Sequence, residues 1–553
     1  MKFNFIFQSF GLLLPLASVV SSQYFKNTSK IAWGDCSDIP SRPGDLPFQC
    51  ADLAVPLDYT AQNSNRTLNL QLLRVEATQK PSLGSILLNF GGPGSDGRSD
   101  LSVVGDMLQE ISGGRHDLVT FDPRGTGNTI PFRCYQNGTQ RLINNAVVRE
   151  TGNASHMALA THWGMGEVMA NECHAQLGET GEFIGTAFVA RDMMRIVDAL
   201  GEDGLLRYWG FSYGSVIGAT VAAMFPDRIA KMVVDGVVNV HEYFNGWDNT
   251  WFSDTDKALS AFFTECVASR PNCILSRTGA SAAELERQLY DFLENDLKFN
   301  PIATGRTLLE YSGIKKFLLS ALYISDAWPG VADSVHALLT KNLTALASLT
   351  PLGANSMLDQ NEALAGIRCA DKQASLRFST LEQARPAMEN LYKTSRLAGD
   401  IFTATLLRCA HWKMPAREHP GDFKATVKTR QPILIIGNSY DPVAPIMSAF
   451  NLSQSFADSV VLRHDGYGHT SLMATSTCTS RVVQAYFVNG TLPEPGIVCK
   501  SNPAGIFPGQ GRSRPSLDSI EASNDADEDG RLLRSLRKLE QIVPDILRKG
   551  LVF

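Results

Sequence analysis

Beyond its first twenty residues, the 553-residue chain has no apolar stretch long enough to cross a bilayer. It has no C-x-x-C pair and no H-E-x-x-H helix, so the common zinc patterns are missing and no metal is implied. Its glycine run near residue 91 is not followed by G-K-[ST], which excludes a phosphate-binding P-loop, and no cofactor motif appears elsewhere. Basic residues do not dominate either. Lys and Arg number 50 against 56 Asp and Glu, giving a net charge of −6 without a basic stripe, so nucleic acid is not an expected partner. Nothing in the sequence sets the oligomeric state.

What is present begins with an N-terminal address. Lys2 precedes a largely apolar run from Phe3 to Val20, interrupted by Asn4, Gln8, Ser9 and Pro15, and Val20-Ser21-Ser22 offers small residues for cleavage. Residues 1–22 therefore read as a signal peptide, which predicts a secreted protein. The ten cysteines, an even number, suit an oxidising compartment. Short separations suggest Cys36–Cys50, Cys266–Cys273 and Cys478–Cys499, and Cys134–Cys173 with Cys369–Cys409 is one way to pair the rest. N-x-S/T sequons at Asn27, Asn65, Asn137, Asn153, Asn342, Asn451 and Asn489 predict a glycoprotein.

The chain is organised around Tyr208-Trp209-Gly210-Phe211-Ser212-Tyr213-Gly214. An apolar run from Leu205 leads into G-x-S-x-G, and a helical pattern runs from Tyr213 to Met224. Strand, sharp turn and helix are the setting in which a serine hydroxyl is lifted clear of a sheet. A Cβ two residues to either side would meet the neighbouring strand or helix, hence the glycines. The Tyr213 amide, at the helix N-terminus, can donate to an oxyanion. A second donor is expected from Phe90-Gly91-Gly92-Pro93-Gly94-Ser95, which follows the apolar strand Ser85 to Asn89. Gly92 is the first choice there and Gly91 the second.

A serine nucleophile needs a base, and the base needs a carboxylate to orient it. Pro432 to Gly437 is a continuous apolar strand, and Asn438-Ser439-Tyr440-Asp441 follows it. A weaker strand, Val460 to Leu462, precedes Gly466-Tyr467-Gly468-His469. Ser212, Asp441 and His469 thus stand in a workable order at strand ends, with Asp235, which closes the strand from Lys231, as the rival acid. His464 is expected to face a helix. Asp122 and Arg124, after the strand from Leu118, read as a structural ion pair.

Between Val240 and Lys428 helical periodicities take over, at Asp254 to Ser269, Ala280 to Asn295, Glu310 to Ile324 and Leu381 to Leu397. Trp33 to Asp58 reads as loop. From Gly505 the composition turns to Pro, Ser, Gly and Arg. An acidic cluster follows, then an amphipathic pattern from Arg531 to Val543, which predicts a weakly ordered tail ending in an isolated helix.

Together Gly91-Gly92-Pro93-Gly94-Ser95, Asp122-x-Arg124-Gly125, Gly210 to Gly214, Asp441 and Gly468-His469 resemble the secreted α/β-hydrolases of the tripeptidyl-aminopeptidase-like, prolyl-aminopeptidase-related group, over about Trp33 to Asn502. The resemblance implies Ser212 as nucleophile, Asp441 as acid, His469 as base, a helical cap and peptides cleaved from the N-terminus. Phe90 stands where many prolyl aminopeptidases carry a histidine, so proline specificity is not among its implications. The expected architecture is an α/β-hydrolase fold: a mostly parallel central sheet with a large helical cap inserted before the strand that carries the catalytic acid. The layout is a core at 23–239, a cap at 240–428, the core's return at 429–504 and the tail at 505–553. A peptide substrate needs a carboxylate for its free ammonium, and Glu242, where the chain enters the cap, is the candidate. A small-molecule ester is the alternative substrate. A non-catalytic binding protein on the same fold would be expected to lack Ser, Asp or His at the triad, and none is missing.

Overall fold

The computed structural model describes residues 30–40, 46–61, 64–147, 150–304, 308–347, 357–421, 423, 425–502, 505–507 and 528–548. The expected signal peptide and the Asn27 sequon lie outside them.

Nine strands form one sheet: β1 Phe48–Pro56, β2 Thr67–Val75, β3 Ser85–Asn89, β4 Asp117–Phe121, β5 Leu206–Phe211, β6 Ile229–Asp235, β7 Leu434–Tyr440, β8 Val460–Tyr467 and β9 Val498–Lys500. Their order is β1-β2-β4-β3-β5-β6-β7-β8-β9. β1 and β2 pair antiparallel, as do β2 and β4, and every later pairing is parallel. The central strands are mostly apolar because helices cover both faces. Phe188, Met193, Val216 and Ile217 pack on one side; Leu101, Val104, Val483 and Phe487 pack on the other. This is the α/β-hydrolase fold the motifs predicted.

Two elements of the sheet differ from expectation. Phe48–Pro56, expected as loop, is a strand, because its nine residues pair in register with β2, from Phe48 opposite Val75 to Pro56 opposite Thr67. β8 runs on to Tyr467, past the apolar trio at its start, because His464 is buried and its Nδ1 lies 2.9 Å from Thr479 Oγ1 on the covering helix Thr477–Asn489.

Between β6 and β7 the described residues form helices joined by loops, with one two-residue pairing of Ile302–Ala303 with Leu308–Leu309. Helices Thr255–Ala268, Ala282–Phe292, Tyr311–Leu322 and Trp328–Leu339 share a separate core that includes Phe262, Leu289, Leu318 and Trp328. Helix Ala158–Leu177, which lies between β4 and β5 in sequence, also joins this helical layer: Leu159 and Trp163 pack beside Met388, Leu391 and Leu407. All ten cysteines are paired, as Cys36–Cys50, Cys134–Cys173, Cys266–Cys273, Cys369–Cys409 and Cys478–Cys499.

The tail departs from the expected isolated helix. Helix Glu528–Arg548 docks on helix Gly97–Ile111, with Leu532, Leu536 and Leu539 buried in the same core as Trp209 and Leu472. Lys538 pairs with Asp106, Arg531 with Glu110 at 3.5 Å, and Glu540 accepts from Thr475 Oγ1. The apolar stripe visible in the sequence is thus matched to a surface supplied by residues hundreds of positions away.

Candidate active site

Ser212 follows β5 and precedes helix Tyr213–Met224, with φ 55° and ψ −121°, a left-handed conformation that a non-glycine residue adopts only under constraint. The packing around the turn supplies the constraint. A Cβ on Gly214 would come within 2.6 Å of Asn89 O, and one on Gly210 would strike the Gly214 carbonyl. Ser212 N–H donates to Asp235 O at 2.8 Å, which ties the turn to the end of β6.

Three side chains distant in sequence meet at this turn. His469 Nε2 lies 2.8 Å from Ser212 Oγ, and His469 Nδ1 lies 2.9 and 2.8 Å from the two carboxylate oxygens of Asp441. Asp441 directly follows β7. Its Oδ1 accepts from the Val443 and Ala444 amides at 3.0 and 2.8 Å, and its Oδ2 from the Thr470 amide at 3.1 Å. The carboxylate and the imidazole are both buried, so the pair is shielded from competing water. The rival acid, Asp235, does not reach the imidazole; its carboxylate accepts from Ser471 N–H and Oγ–H instead.

The glycine loop after β3 lies against the serine turn. A Cβ on Gly91 would stand 2.8 Å from Ser212 Cβ and 3.2 Å from Tyr213 N, and Gly91, Gly92 and Gly94 all have φ near +100°. The Gly91 amide donates to Asn89 Oδ1 at 3.0 Å, whereas the Gly92 amide has no acceptor among the described residues. Tyr213, beside Ser212, is held by a buried network: its hydroxyl lies 2.5 Å from Thr186 Oγ1, Thr186 Oγ1 donates to Asp371 Oδ2, and Tyr243 Oη donates to the same oxygen at 3.0 Å. Burial pushes the Asp371 carboxyl up to about 6.

Glu242 stands on helix Val240–Asn245 and is half-buried. It lines a small cavity with Asn239, Asp248, Trp251 and Val443. Thr250 donates to its Oε2 through both amide and hydroxyl at 2.9 Å, and burial raises its carboxyl above the ordinary range. Asp122 and Arg124 do not form the expected pair with each other. Arg124 is bidentate to Asp192 at 2.6 and 2.8 Å, with both side chains fully buried, while Asp122 accepts from the Arg98 amide at 3.2 Å.

Two contributors carried no clear mark in the sequence. Asn438, inside β7, donates its Nδ2–H to Gly468 O at 2.6 Å and so fixes the loop that presents His469. Tyr323, in the helical layer, accepts the His469 amide at 3.0 Å. A polar residue directly after the apolar run Pro432 to Gly437 is the one hint the sequence held for Asn438; Tyr323 gives none.

Two family models match the chain: "alpha/beta hydrolase fold" over residues 84–270, and "TAP-like protein" over residues 395–499. The first spans the glycine loop and Ser212; the second spans Asp441 and His469. The chain thus has the α/β-hydrolase fold and is similar to the TAP-like group. It is similar to the serine protease Hip1 of Mycobacterium tuberculosis, with 28% identity over 81% of this chain and 87% of that one. It is also similar to the tripeptidyl aminopeptidase of Streptomyces lividans, with 26% identity over 85% and 86%. Carboxylesterase B of Mycobacterium tuberculosis is 26% identical over 88% of this chain and 91% of its own. This hydrolase therefore has relatives named for both peptidase and esterase activity.

Proposed function

We propose that this serine hydrolase uses Ser212, His469 and Asp441 through an acyl-enzyme to release residues or short peptides from peptide N-termini. The observation that carries the reading is the unbroken chain of contacts from Ser212 Oγ through His469 to Asp441, at 2.8 Å and 2.8–2.9 Å. Ser212 Oγ attacks the scissile carbonyl carbon while His469 Nε2 takes its proton, and Asp441 keeps Nδ1 protonated and the ring in place. The resulting oxyanion faces the amides of Gly92 and Tyr213. Collapse expels the amine, which takes the proton from His469. Water, deprotonated by the same ring, then releases the acyl group and restores Ser212.

Selection for a free N-terminus requires a carboxylate in a partly dry site. Glu242 fits that need: both Thr250 bonds fall on Oε2, so no donor among the described residues reaches Oε1. The five disulfides fit the secreted setting, and the sequons at Asn65, Asn137, Asn153, Asn342 and Asn489 are exposed while Asn451 is half-buried. No helix among the described residues is long and apolar enough to cross a membrane.

Purified protein should cleave free-amine peptidyl anilides, and N-acetylation of a good substrate should nearly abolish cleavage. Ser212→Ala should lower kcat by roughly 10⁴-fold or more with the fold intact. Full activity of that variant would reject the nucleophile. Esterase chemistry is the second reading, favoured by the similarity to carboxylesterase B. Indifference to acetylation together with fast hydrolysis of short-chain esters would select it.

A further inference from the structure

The last residue of β6, the strand beside β5, is tied to both halves of the candidate active site. Asp235 closes β6 and is fully buried. Its main-chain oxygen accepts the Ser212 amide at 2.8 Å. Its carboxylate accepts the Ser471 amide on Oδ1 at 2.9 Å and the Ser471 hydroxyl on Oδ2 at 2.5 Å. Ser471 stands two residues beyond His469. One residue thus grips the serine turn with its backbone and the histidine loop with its side chain. The next position supports this fit. Gly236 has φ 63°, and a Cβ there would come within 2.7 Å of Thr470 Cγ2 and 3.3 Å of His469 Cε1.

We propose that Asp235 is a positioning residue that sets the separation between Ser212 Oγ and His469 Nε2 by anchoring the histidine loop through Ser471. The inference rests on the triad assigned above. Asp235 does not orient the imidazole, since Asp441 holds Nδ1. Its role is to stop the loop from drifting along the sheet edge, where a shift of one ångström would break the Ser–His contact. The titratable groups near it are Asp441 and His469. Burial pushes its carboxyl up to about 6, and the two Ser471 donors oppose that rise, so the anion and its anchor stabilise each other.

The test uses full-length protein and a fluorophosphonate probe, which reads the reactivity of the serine whatever the natural substrate is. Wild type, Ser212→Ala, Asp235→Asn, Ser471→Ala and the Asp235→Asn/Ser471→Ala double variant are compared, with melting temperature measured alongside. Asp235→Asn keeps size and one acceptor but loses the charge and the second acceptor, and labelling of Ser212 should slow about 10- to 100-fold, the effect of a misplaced catalytic group. Ser471→Ala should slow it less. The double variant should be no slower than Asp235→Asn alone, because both changes break one contact. With any substrate that is turned over, kcat should fall while KM stays within about threefold. Labelling of Asp235→Asn within twofold of wild type, or additive losses in the double variant, would overturn the proposal even if the melting temperature drops. Should Asp235→Asn fail to fold, Ser471→Ala carries the test: slower labelling at an unchanged melting temperature supports the anchor, and unchanged labelling rejects it. Persistent labelling of Ser212→Ala would instead reject the triad itself.

Discussion

Tyr323 of the helical layer touches His469 of the core twice. Its carbonyl accepts the His469 amide at 3.0 Å, and its ring meets the imidazole edge-on at 5.2 Å. The helical layer therefore completes the hydrogen bonding of the loop that carries the histidine. The isolated bridge between Ile324 and Gly468 extends the same seam.

The seam has little room. Gly468 has φ 110°, and a Cβ there would strike the Tyr323 carbonyl oxygen. Gly468→Ala should therefore push the loop and the helical layer apart. The expected result is a fall in kcat of about 100-fold, the effect of displacing the proposed base by an ångström, with far-UV circular dichroism unchanged. Wild-type turnover in this variant would show that the seam does not set the position of His469.

The paired cysteines predict that titration in denaturant without reductant finds no free thiol. The Cys478–Cys499 bond joins helix Thr477–Asn489 to edge strand β9, and that helix also carries Thr479, the partner of buried His464. Replacing both cysteines by serine should cost about 2–4 kcal/mol, seen as a lower melting temperature. An unchanged melting temperature would show that the edge is held without the bond.

The C-terminal helix should behave as part of the core. Leu539 is fully buried against the layer that contains Ile111 and Trp209. Leu539→Asp would bury a charge without a partner, and the helix should undock. We expect a lowered melting temperature and new protease cleavage within 528–548. An unaltered melting temperature would return the helix to the isolated state that its sequence alone suggests.

Asp371 gives stability a pH dependence. Its folded value of about 6 lies above the ordinary 3.8, so between about pH 4 and pH 6 the folded state holds more protons than the unfolded one. This contribution falls as pH rises through that window and is level above it, a loss on the order of 3 kcal/mol. Asp371→Asn should flatten the decline, raising the melting temperature at pH 7 relative to pH 4.5 when compared with wild type. Asp235, also pushed up to about 6, acts in the same window, so part of the slope should remain. An identical slope in wild type and variant would remove Asp371 from this role.

Much of the site was legible because its parts are local. The glycines around Ser212 and beside the β3 loop mark positions where a Cβ has no room, and steric demands of that kind are written into a few consecutive residues. The apolar runs of β3, β5, β6 and β7 announce strands covered on both faces. The even cysteine count anticipated a fully bonded chain.

Other features depend on partners far away in sequence. Nothing near Arg124 marks Asp192 as its partner, and nothing near Leu536 marks a receiving face on helix Gly97–Ile111. Strand β1 forms because β2 offers it a register, not because Phe48–Pro56 favours extension strongly by itself. Asp235 could be read from sequence only as a competitor of Asp441, since both close parallel strands. The sequence by itself determined the strained turn at Ser212, its glycine loop, the candidate base and the two competing candidate acids, because each follows from short-range sterics and the order of strands. Only the tertiary structure decided which carboxylate meets His469, what holds the histidine loop and where the last helix rests, because those outcomes are set by distances between segments that the chain brings together only on folding.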